Sequence, residues 1–139
     1  MSEPLDIGGP IELDLHFSTS AKDTDFFAVL VDIDEQGTMR AVGLHGKIRA
    51  RYLSGWEKPS LLQPGKLYKA TIELWDTGHQ VKKGHRLGVL ITSQAFPSYA
   101  RNLNTGEPIS NATRMVVAQQ TIYHDAKRPS ALRFRVLPR

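Results

Sequence analysis

The chain has 139 residues, five histidines, no cysteine and a net charge of +4. This composition excludes disulfides, thiolate metal sites and a thiol nucleophile, and the length fits one domain that folds without a covalent staple. Lysine and arginine are interleaved with acids, which predicts no nucleic-acid partner, and no apolar run predicts a membrane span or membrane partner. The acidic, polar start Met1–Asp6 does not resemble a signal peptide, so a cytoplasmic location is favoured.

Period-two alternation and short apolar runs predict β-strands along the whole chain. In chain order the predicted strands are Ile11–Phe17, Phe26–Val31, Thr38–Leu44, Lys47–Tyr52, Leu67–Trp75, Leu87–Ile91, Met115–Tyr123 and Ala131–Val136. The runs Phe26–Val31 and Leu87–Ile91 are apolar throughout, which is typical of central strands covered on both faces. About eight strands without helical periodicity predict an all-β fold, and a jelly-roll β-sandwich is the natural eight-stranded candidate.

Turn chemistry separates these strands. Asp34–Gly37 suits a hairpin, Gln63–Gly65 suits a tight turn with proline before glycine, and Lys83-Gly84 suits another turn. The connection from about Phe96 to Ala112 holds two prolines, one glycine and three asparagines. A loop of that length in a compact domain is often functional or packed on a partner.

The sequence contains no recognisable nucleophile motif. No serine lies in Gly-x-Ser-x-Gly, and neither the parallel sheet nor the helices that such an elbow needs are predicted. A Ser-His-Asp triad assembled from distant positions remains an alternative. The sequence therefore predicts no catalytic residues and an isolated chain that is catalytically inactive.

Metal and cofactor motifs are also missing from the sequence. The histidines show no two-histidine ligand spacing; they are His16, His45, His79, His85 and His124. Asp32–Gly37 begins like a calcium loop, but Gly43 stands where the twelfth-position glutamate is expected, so an acid-rich hairpin is favoured. No metal site and no cofactor are predicted, since phosphate-binding glycine motifs are absent too; calcium held by backbone carbonyls stays open.

One polar cluster is informative. Asp23 and Asp25 directly precede the apolar strand at Phe26, and acids beside a core strand need partners when they are buried. Arginines on or beside other strands offer bidentate pairing; they are Arg49, Arg51 and Arg86. A structural network of salt bridges is favoured over a ligand site.

Apolar and aromatic residues in the long loop, together with both tryptophans, indicate an interface or a pocket. The candidate residues are Phe96, Pro97, Tyr99, Asn102, Asn104, Trp56 and Trp75. Two alternatives stay open: the loop folds back on its own sandwich, or the tryptophans stack on sugars in a free-standing carbohydrate- or peptide-binding module.

A series of short motifs gives the chain a family resemblance. The matching pieces are Ser18–Ser20, Asp23–Phe26, Leu30–Ile33, Gly46–Tyr52, Leu62–Gly65, Lys83–Leu87, Phe96-Pro97, Asn102–Gly106, Gln120–His124 and Arg128–Ser130. In this order they resemble the C-terminal β domain of the Xaa-Pro dipeptidyl-peptidase and cocaine-esterase-like (CocE/NonD) acyl hydrolases. Leu103 and Thr92–Ala95 depart from the family pattern, both at the long loop.

The resemblance implies a jelly-roll, galactose-binding-like domain that follows an α/β-hydrolase domain carrying the catalytic triad. It implies that this β domain packs on the catalytic domain, helps to shape the substrate pocket and takes part in homo-oligomer contacts. His85 and His124 match family positions that do not belong to the triad. Residues 1–139 are therefore expected to be a single C-terminal-type domain, a fragment of a longer hydrolase that cleaves Xaa-Pro peptides or acyl esters.

Overall fold

The computed structural model describes residues 1–138, which hold one 3₁₀ turn at Ala50–Tyr52 and nine β-strands in two sheets. The strands are β1 (Leu5–Thr19), β2 (Asp25–Ile33), β3 (Met39–Arg49), β4 (Tyr68–Asp76), β5 (His79–Val81), β6 (Arg86–Thr92), β7 (Gln120–Asp125), β8 (Arg128–Pro129) and β9 (Ala131–Val136). The all-β prediction is confirmed, whereas the jelly-roll arrangement stays a prediction. No helix in this part of the chain is long and apolar enough to cross a membrane.

The long strand β1 lies in the middle of the larger sheet. It pairs antiparallel with β4 and β5 along one edge and with β7 and β9 along the other. Its alternating residues Ile11, Leu13, Leu15 and Phe17 are all buried, and each such side chain contributes about 1.5–3 kcal/mol when removed from water. The alternation that predicted this strand therefore reports its core face.

The smaller sheet has the order β3-β2-β6. Its central strand β2 is buried from Asp25 to Asp32, which confirms the prediction that Phe26–Val31 is covered on both faces. Phe26 meets Phe17 of β1 with ring centroids 4.5 Å apart, so the core lies between the two sheets.

The prediction that Leu87–Ile91 is a central strand was wrong. Among the residues that the structure describes, β6 pairs with β2 alone, at the edge of the smaller sheet, and its residues are half-buried or exposed. An apolar run alone does not distinguish a covered strand from an edge whose core-facing row is partly open.

Two further strand boundaries differ from the prediction. The predicted strands Thr38–Leu44 and Lys47–Tyr52 overlap one strand, β3 (Met39–Arg49), whose pairing with β2 shifts register between Ala28 and Leu30. Ala50–Tyr52 forms the 3₁₀ turn instead of a strand. The predicted strand Met115–Tyr123 begins only at Gln120. The three predicted turns are confirmed: hydrogen bonds close them from Gly37 to Asp34, from Lys66 to Gln63 and from His85 to Lys82.

Candidate functional site

Two buried carboxylates at the start of β2 organise one end of the sandwich. Asp25 accepts hydrogen bonds from Arg49 Nε and Nη2, both at 2.8 Å, because the two residues face each other in the β2–β3 register. Asp23 accepts from Arg51 Nε at 2.8 Å and from the Arg51 backbone N–H at 3.0 Å. The 3₁₀ turn brings Arg51 to Asp23, and the hydrogen bond with Asp25 raises the pKa of Arg49.

Asn102 of the long loop joins the two carboxylates. Its Nδ2 donates to Asp23 Oδ2 at 3.0 Å and to Asp25 Oδ1 at 2.8 Å, across 79 and 77 positions of sequence respectively. We call these five residues, Asp23, Asp25, Arg49, Arg51 and Asn102, the carboxylate clamp. Since every carboxylate oxygen of the clamp is hydrogen-bonded, the burial of two neighbouring acids is compensated.

Asn104 holds the shape of the same loop. It has a positive φ of 63°, its backbone N–H bonds Asn102 Oδ1, and its Nδ2 donates to the Val116 carbonyl at 2.9 Å. Asparagine tolerates this left-handed conformation better than most residues. Both predicted asparagines therefore position the loop in this structure.

Beside the clamp lies a cleft of about 500 Å³, which we call the aromatic cleft. Two ring pairs line it: Phe27 with Tyr99, whose centroids are 5.2 Å apart, and Tyr52 with Trp56, at 4.6 Å. The volume of the cleft lies within the range of small-molecule sites. Its Trp56 side chain is 79% exposed, so one face of the indole ring is open to solvent.

Charged side chains lie in the same cleft. The ammonium of Lys47 lies 3.9 Å over the Tyr99 ring, and Glu73 reaches the cleft from β4. Neither Lys47 nor Glu73 forms a salt bridge within residues 1–138. The cleft therefore offers aromatic faces together with one cation and one anion that have no ionic partner among residues 1–138.

The other predicted loop residues have mixed positions. Tyr99 folds back onto Phe27, as the fold-back alternative requires. Phe96, which precedes Pro97 through a cis peptide bond, is instead 62% exposed beneath the Arg101 guanidinium. Trp75 lies further along β4, is 55% exposed and does not line the cleft.

Arg86 is not part of the carboxylate clamp. It pairs in register with Ile33, at the opposite end of β2 from Asp25, which corresponds to about 26 Å along the strand. Because β6 runs antiparallel to β2, the first residue of β6 cannot approach the first residues of β2.

A second polar cluster was missed by the sequence analysis. Asp32 accepts hydrogen bonds from His79 and His85, at 2.8 Å to each of its oxygens. Burial raises the Asp32 pKa, but the two imidazoles outweigh this and lower it. The two histidines lie 47 and 53 positions from Asp32 in the sequence, on other elements, so no sequence pattern connects them to this carboxylate.

The described residues do not assemble a catalytic triad. No serine hydroxyl within residues 1–138 hydrogen-bonds a histidine ring; the imidazoles that contact a carboxylate both contact Asp32. The same residues contain no group of three or more histidines and acids placed to hold a metal ion.

The sequence of this chain is similar to a known domain family and to part of a known esterase. The family described as the X-Pro dipeptidyl-peptidase C-terminal non-catalytic domain matches residues 1–133. A cocaine esterase from Rhodococcus sp. (strain MB1 Bresler) is 34% identical over 142 residues, which cover 100% of this chain and 24% of the esterase.

Solved structures give the same result. An aminopeptidase from a marine sediment Thaumarchaeota archaeon superposes with a TM-score of 0.93 at 27% identity, and an α-amino acid ester hydrolase with 0.92 at 29%; each comparison covers 99% of this chain and 24% of the other. A CocE/NonD family hydrolase from Staphylococcus aureus shares the fold, with a TM-score of 0.77 at 20% identity over 99% of this chain and 29% of that one. The chain spans about a quarter of the length of these relatives.

Proposed function

Because the chain belongs to the family of X-Pro dipeptidyl-peptidase C-terminal non-catalytic domains, we propose that it is the C-terminal part of a longer serine hydrolase and packs on the α/β-hydrolase catalytic domain of that enzyme. The accessory, non-catalytic character of the domain follows from the family and from the quarter of each relative that it spans. The parent enzyme in this proposal is a dipeptidyl-peptidase or an acyl esterase.

The aromatic cleft is the surface through which we propose that this packing occurs. Trp56 is 79% exposed, and its ring lies tilted against that of Tyr52. Tryptophan is among the residue types most enriched at interface hot spots. Lys47 and Glu73 line the same cleft, where they can form salt bridges with charged residues of the catalytic domain. In the assembled enzyme this face contributes a wall of the substrate pocket, and the carboxylate clamp holds that wall in position.

A domain exchange tests the proposal. In a chimera, these 139 residues replace the matched quarter of the Rhodococcus cocaine esterase. The variant Trp56→Ala is compared with the control Met39→Ala, because Met39 is also exposed, at 61%, but lies on β3 outside the cleft. We expect Trp56→Ala to lower the unfolding free energy of the chimera by more than about 1 kcal/mol and to raise its KM for the ester. The same substitution should leave the stability of the isolated chain unchanged. Met39→Ala should change none of these quantities.

The opposite result has a clear form. If Trp56→Ala and Met39→Ala behave alike in the chimera, the cleft is not the docking surface. Saturable binding of a sugar by the isolated chain, abolished by Trp56→Ala, would favour the alternative of a free-standing binding module.

Homo-oligomer contacts are the finer part of the proposal. The described residues leave several large apolar side chains exposed, and a contiguous patch of that kind usually marks an interaction site. The longest exposed apolar run is Met115–Val117, with exposures of 67%, 45% and 81%. We propose that the parent enzyme associates with itself, in addition to the contact between its domains.

A further inference from the structure

A second cleft, of about 560 Å³, lies at the opposite end of β2 from the carboxylate clamp. Its lining includes one acid and four basic side chains, and we call it the basic cleft. These five residues are Asp32, Arg40, His79, Lys82 and His85. Among residues 1–138, none lines both this cleft and the aromatic cleft, so an inference about the basic cleft goes beyond the proposed function.

The acid of the basic cleft is already satisfied. Asp32 accepts one imidazole on each oxygen, from Nε2 of His79 and from Nδ1 of His85, both at 2.8 Å. Burial raises the pKa of Asp32, but the two imidazoles outweigh burial and lower it, so the carboxyl is ionised. Its single negative charge is shared between two basic rings and leaves the other cations of the cleft uncompensated.

The outer nitrogens of both rings are available to a ligand. In the described part of the chain, His79 Nδ1 and His85 Nε2 have no hydrogen-bond partner. Each ring is held by its other nitrogen, because a hydrogen bond to a carboxylate fixes the orientation of an imidazole. In an imidazolium ring the outer nitrogen also carries a proton and becomes a donor, which is the form that a nearby anion favours.

Arg40 and Lys82 add two further positive charges. Lys82 forms no salt bridge within residues 1–138. Arg40 lies opposite Asp32 in the β2–β3 register, and its guanidinium approaches Asp34 at 3.7 Å while 72% of its side chain is exposed. So long and exposed an ion pair contributes little to stability, and the guanidinium can therefore turn toward a ligand.

Other charged groups lie near the basic cleft but outside its lining. They are Asp34, Glu35, Asp76, Lys83, Arg86 and the Met1 amino group, which donates to the His85 carbonyl at 2.6 Å. Three are acidic and three are basic, so their charges nearly cancel. The positive excess that a ligand meets is therefore set by the lining itself.

We propose that the basic cleft binds a doubly charged oxyanion of the phosphate class, held by the Arg40 guanidinium, the Lys82 ammonium and the two imidazoles. A dianion suits the cleft better than a single carboxylate, because two cations and two protonatable rings surround one acid. Arginine binds such a group through its planar fork and lysine binds it as a point charge. Since the rings donate from their outer nitrogens only when protonated, binding takes up protons and strengthens as the pH falls.

Sulfate is the first probe, because it is a dianion whose charge does not change near neutral pH. Gly43 and Gly78 line the cleft, and a Cβ at Gly78 would meet no atom within 4 Å, so their amide signals in heteronuclear NMR report on an occupant. At constant ionic strength, balanced with sodium chloride, we expect saturable shifts at both glycines. The dissociation constant should be about fivefold lower at pH 6 than at pH 8.

Two neighbouring lysines give a matched pair of variants. Lys82→Ala removes a charge from the lining and should weaken sulfate binding about five- to tenfold. Lys83→Ala removes the same charge from an equally exposed neighbour outside the lining and should change the dissociation constant by less than about twofold. An equal effect of both variants would show that sulfate only screens the surface, and would overturn the proposal.

His79→Gln tests the coupling to protons. The glutamine amide can donate to Asp32 as the imidazole Nε2 does, but it does not titrate. We expect an unchanged unfolding midpoint at pH 8 and a ratio of dissociation constants between pH 8 and pH 6 that falls from about fivefold to about twofold. A wild-type affinity that is independent of pH would contradict the role of the imidazoles.

Acetate, inorganic phosphate and methyl phosphate identify the ligand. Acetate should bind more weakly than sulfate at equal ionic strength; acetate that binds as tightly would assign the cleft to a carboxylate and overturn the proposal, as would the absence of any saturable shift with sulfate at pH 6. Either order of the two phosphates agrees with the proposal. Methyl phosphate that binds at least as tightly as inorganic phosphate indicates a phosphate monoester, and the reverse order indicates the free ion.

Discussion

At the scale of single residues, Asp23 and Asp25 show what a sequence can and cannot predict. Their position before an apolar strand predicts buried acids, and the nearby arginines predict their partners. Arg49 and Arg51 pair with them, whereas Arg86 does not, because its position depends on the direction of β6. Asn102 was predicted as an interface or pocket residue of the long loop and not as a partner of the acids, since nothing in the sequence connects it to Asp25 and Asp23, 77 and 79 positions away.

Removal of Asp25 should destabilise the domain. Asp25→Ala leaves the Arg49 guanidinium and one Asn102 N–H without an acceptor in a mostly buried site, so we expect a loss of about 3–5 kcal/mol in unfolding free energy. The control is Asp125→Ala, which breaks the exposed pair with Arg128 and should hardly change stability. Denaturant melts measure both variants, and equal midpoints would show that the clamp does not stabilise the fold.

Removal of Asn102 should free the long loop without unfolding the sheets. In Asn102→Ala each carboxylate keeps its arginine, so we expect a stability loss of about 1–2 kcal/mol. The loop between residues 93 and 119 should become sensitive to limited proteolysis. Asn111→Ala is the control, because within residues 1–138 only the backbone N–H of Asn111 is hydrogen-bonded. Similar cleavage of both variants would argue against the clamp as the anchor of the loop.

Asp14 should make stability depend on pH. Burial raises its pKa, but hydrogen bonds from Thr71, Arg133 and Lys69 outweigh this and lower the pKa from 3.8 to about 2. A carboxyl whose pKa is lowered by folding stabilises the protein above its unfolded pKa, and this contribution disappears as the pH falls from about 4 to 2. Wild type should therefore be more stable than Asp14→Asn at pH 7, and the difference should vanish near pH 2. A difference that is the same at both pH values would contradict the assignment.

At the scale of elements, local sequence patterns predicted two kinds of strand: those in which buried and exposed side chains alternate, and those in which every side chain is buried. They failed where the environment is set by distant residues. Ala50–Tyr52 continues the alternation of β3 but leaves the ladder to place Arg51 on Asp23. Met115–Gln119 has the composition of a strand, yet no strand pairs with it in the described chain, and only Gln120 onward meets β1.

Gly46 should be required where β3 crosses β4. A Cβ at this position would meet the backbone carbonyl of Glu73 and the side chains of Ile72 and Leu74. Gly46→Ala should therefore cost about 1–3 kcal/mol by overpacking, measured as a fall in the unfolding midpoint. Gly78→Ala, at a position with open space and an ordinary φ, should be nearly neutral; a neutral Gly46→Ala would show that the two strands separate easily.

At the scale of the whole molecule, the two sheets enclose one hydrophobic core, and the chain corresponds to about a quarter of each matched relative. Ser130 Oγ accepts a hydrogen bond from the backbone N–H of His16, but within residues 1–138 no serine hydroxyl hydrogen-bonds a histidine ring. The relatives that match are about four times longer. We therefore expect the purified chain to hydrolyse neither p-nitrophenyl esters nor Xaa-Pro p-nitroanilides. Turnover that is titrated by a serine-directed inhibitor would contradict this expectation.

The central position of β1 also determines when the domain can fold. This strand ends at Thr19, but the strands that pair with it are synthesised much later: β4 ends at Asp76, and β9 ends at Val136. During translation, at about 5–20 residues per second, β1 waits several seconds beside the ribosome with its apolar face unpaired. The polypeptide can reach its native topology only when its last strand has left the exit tunnel, so a chaperone that shields β1 has most effect during that interval.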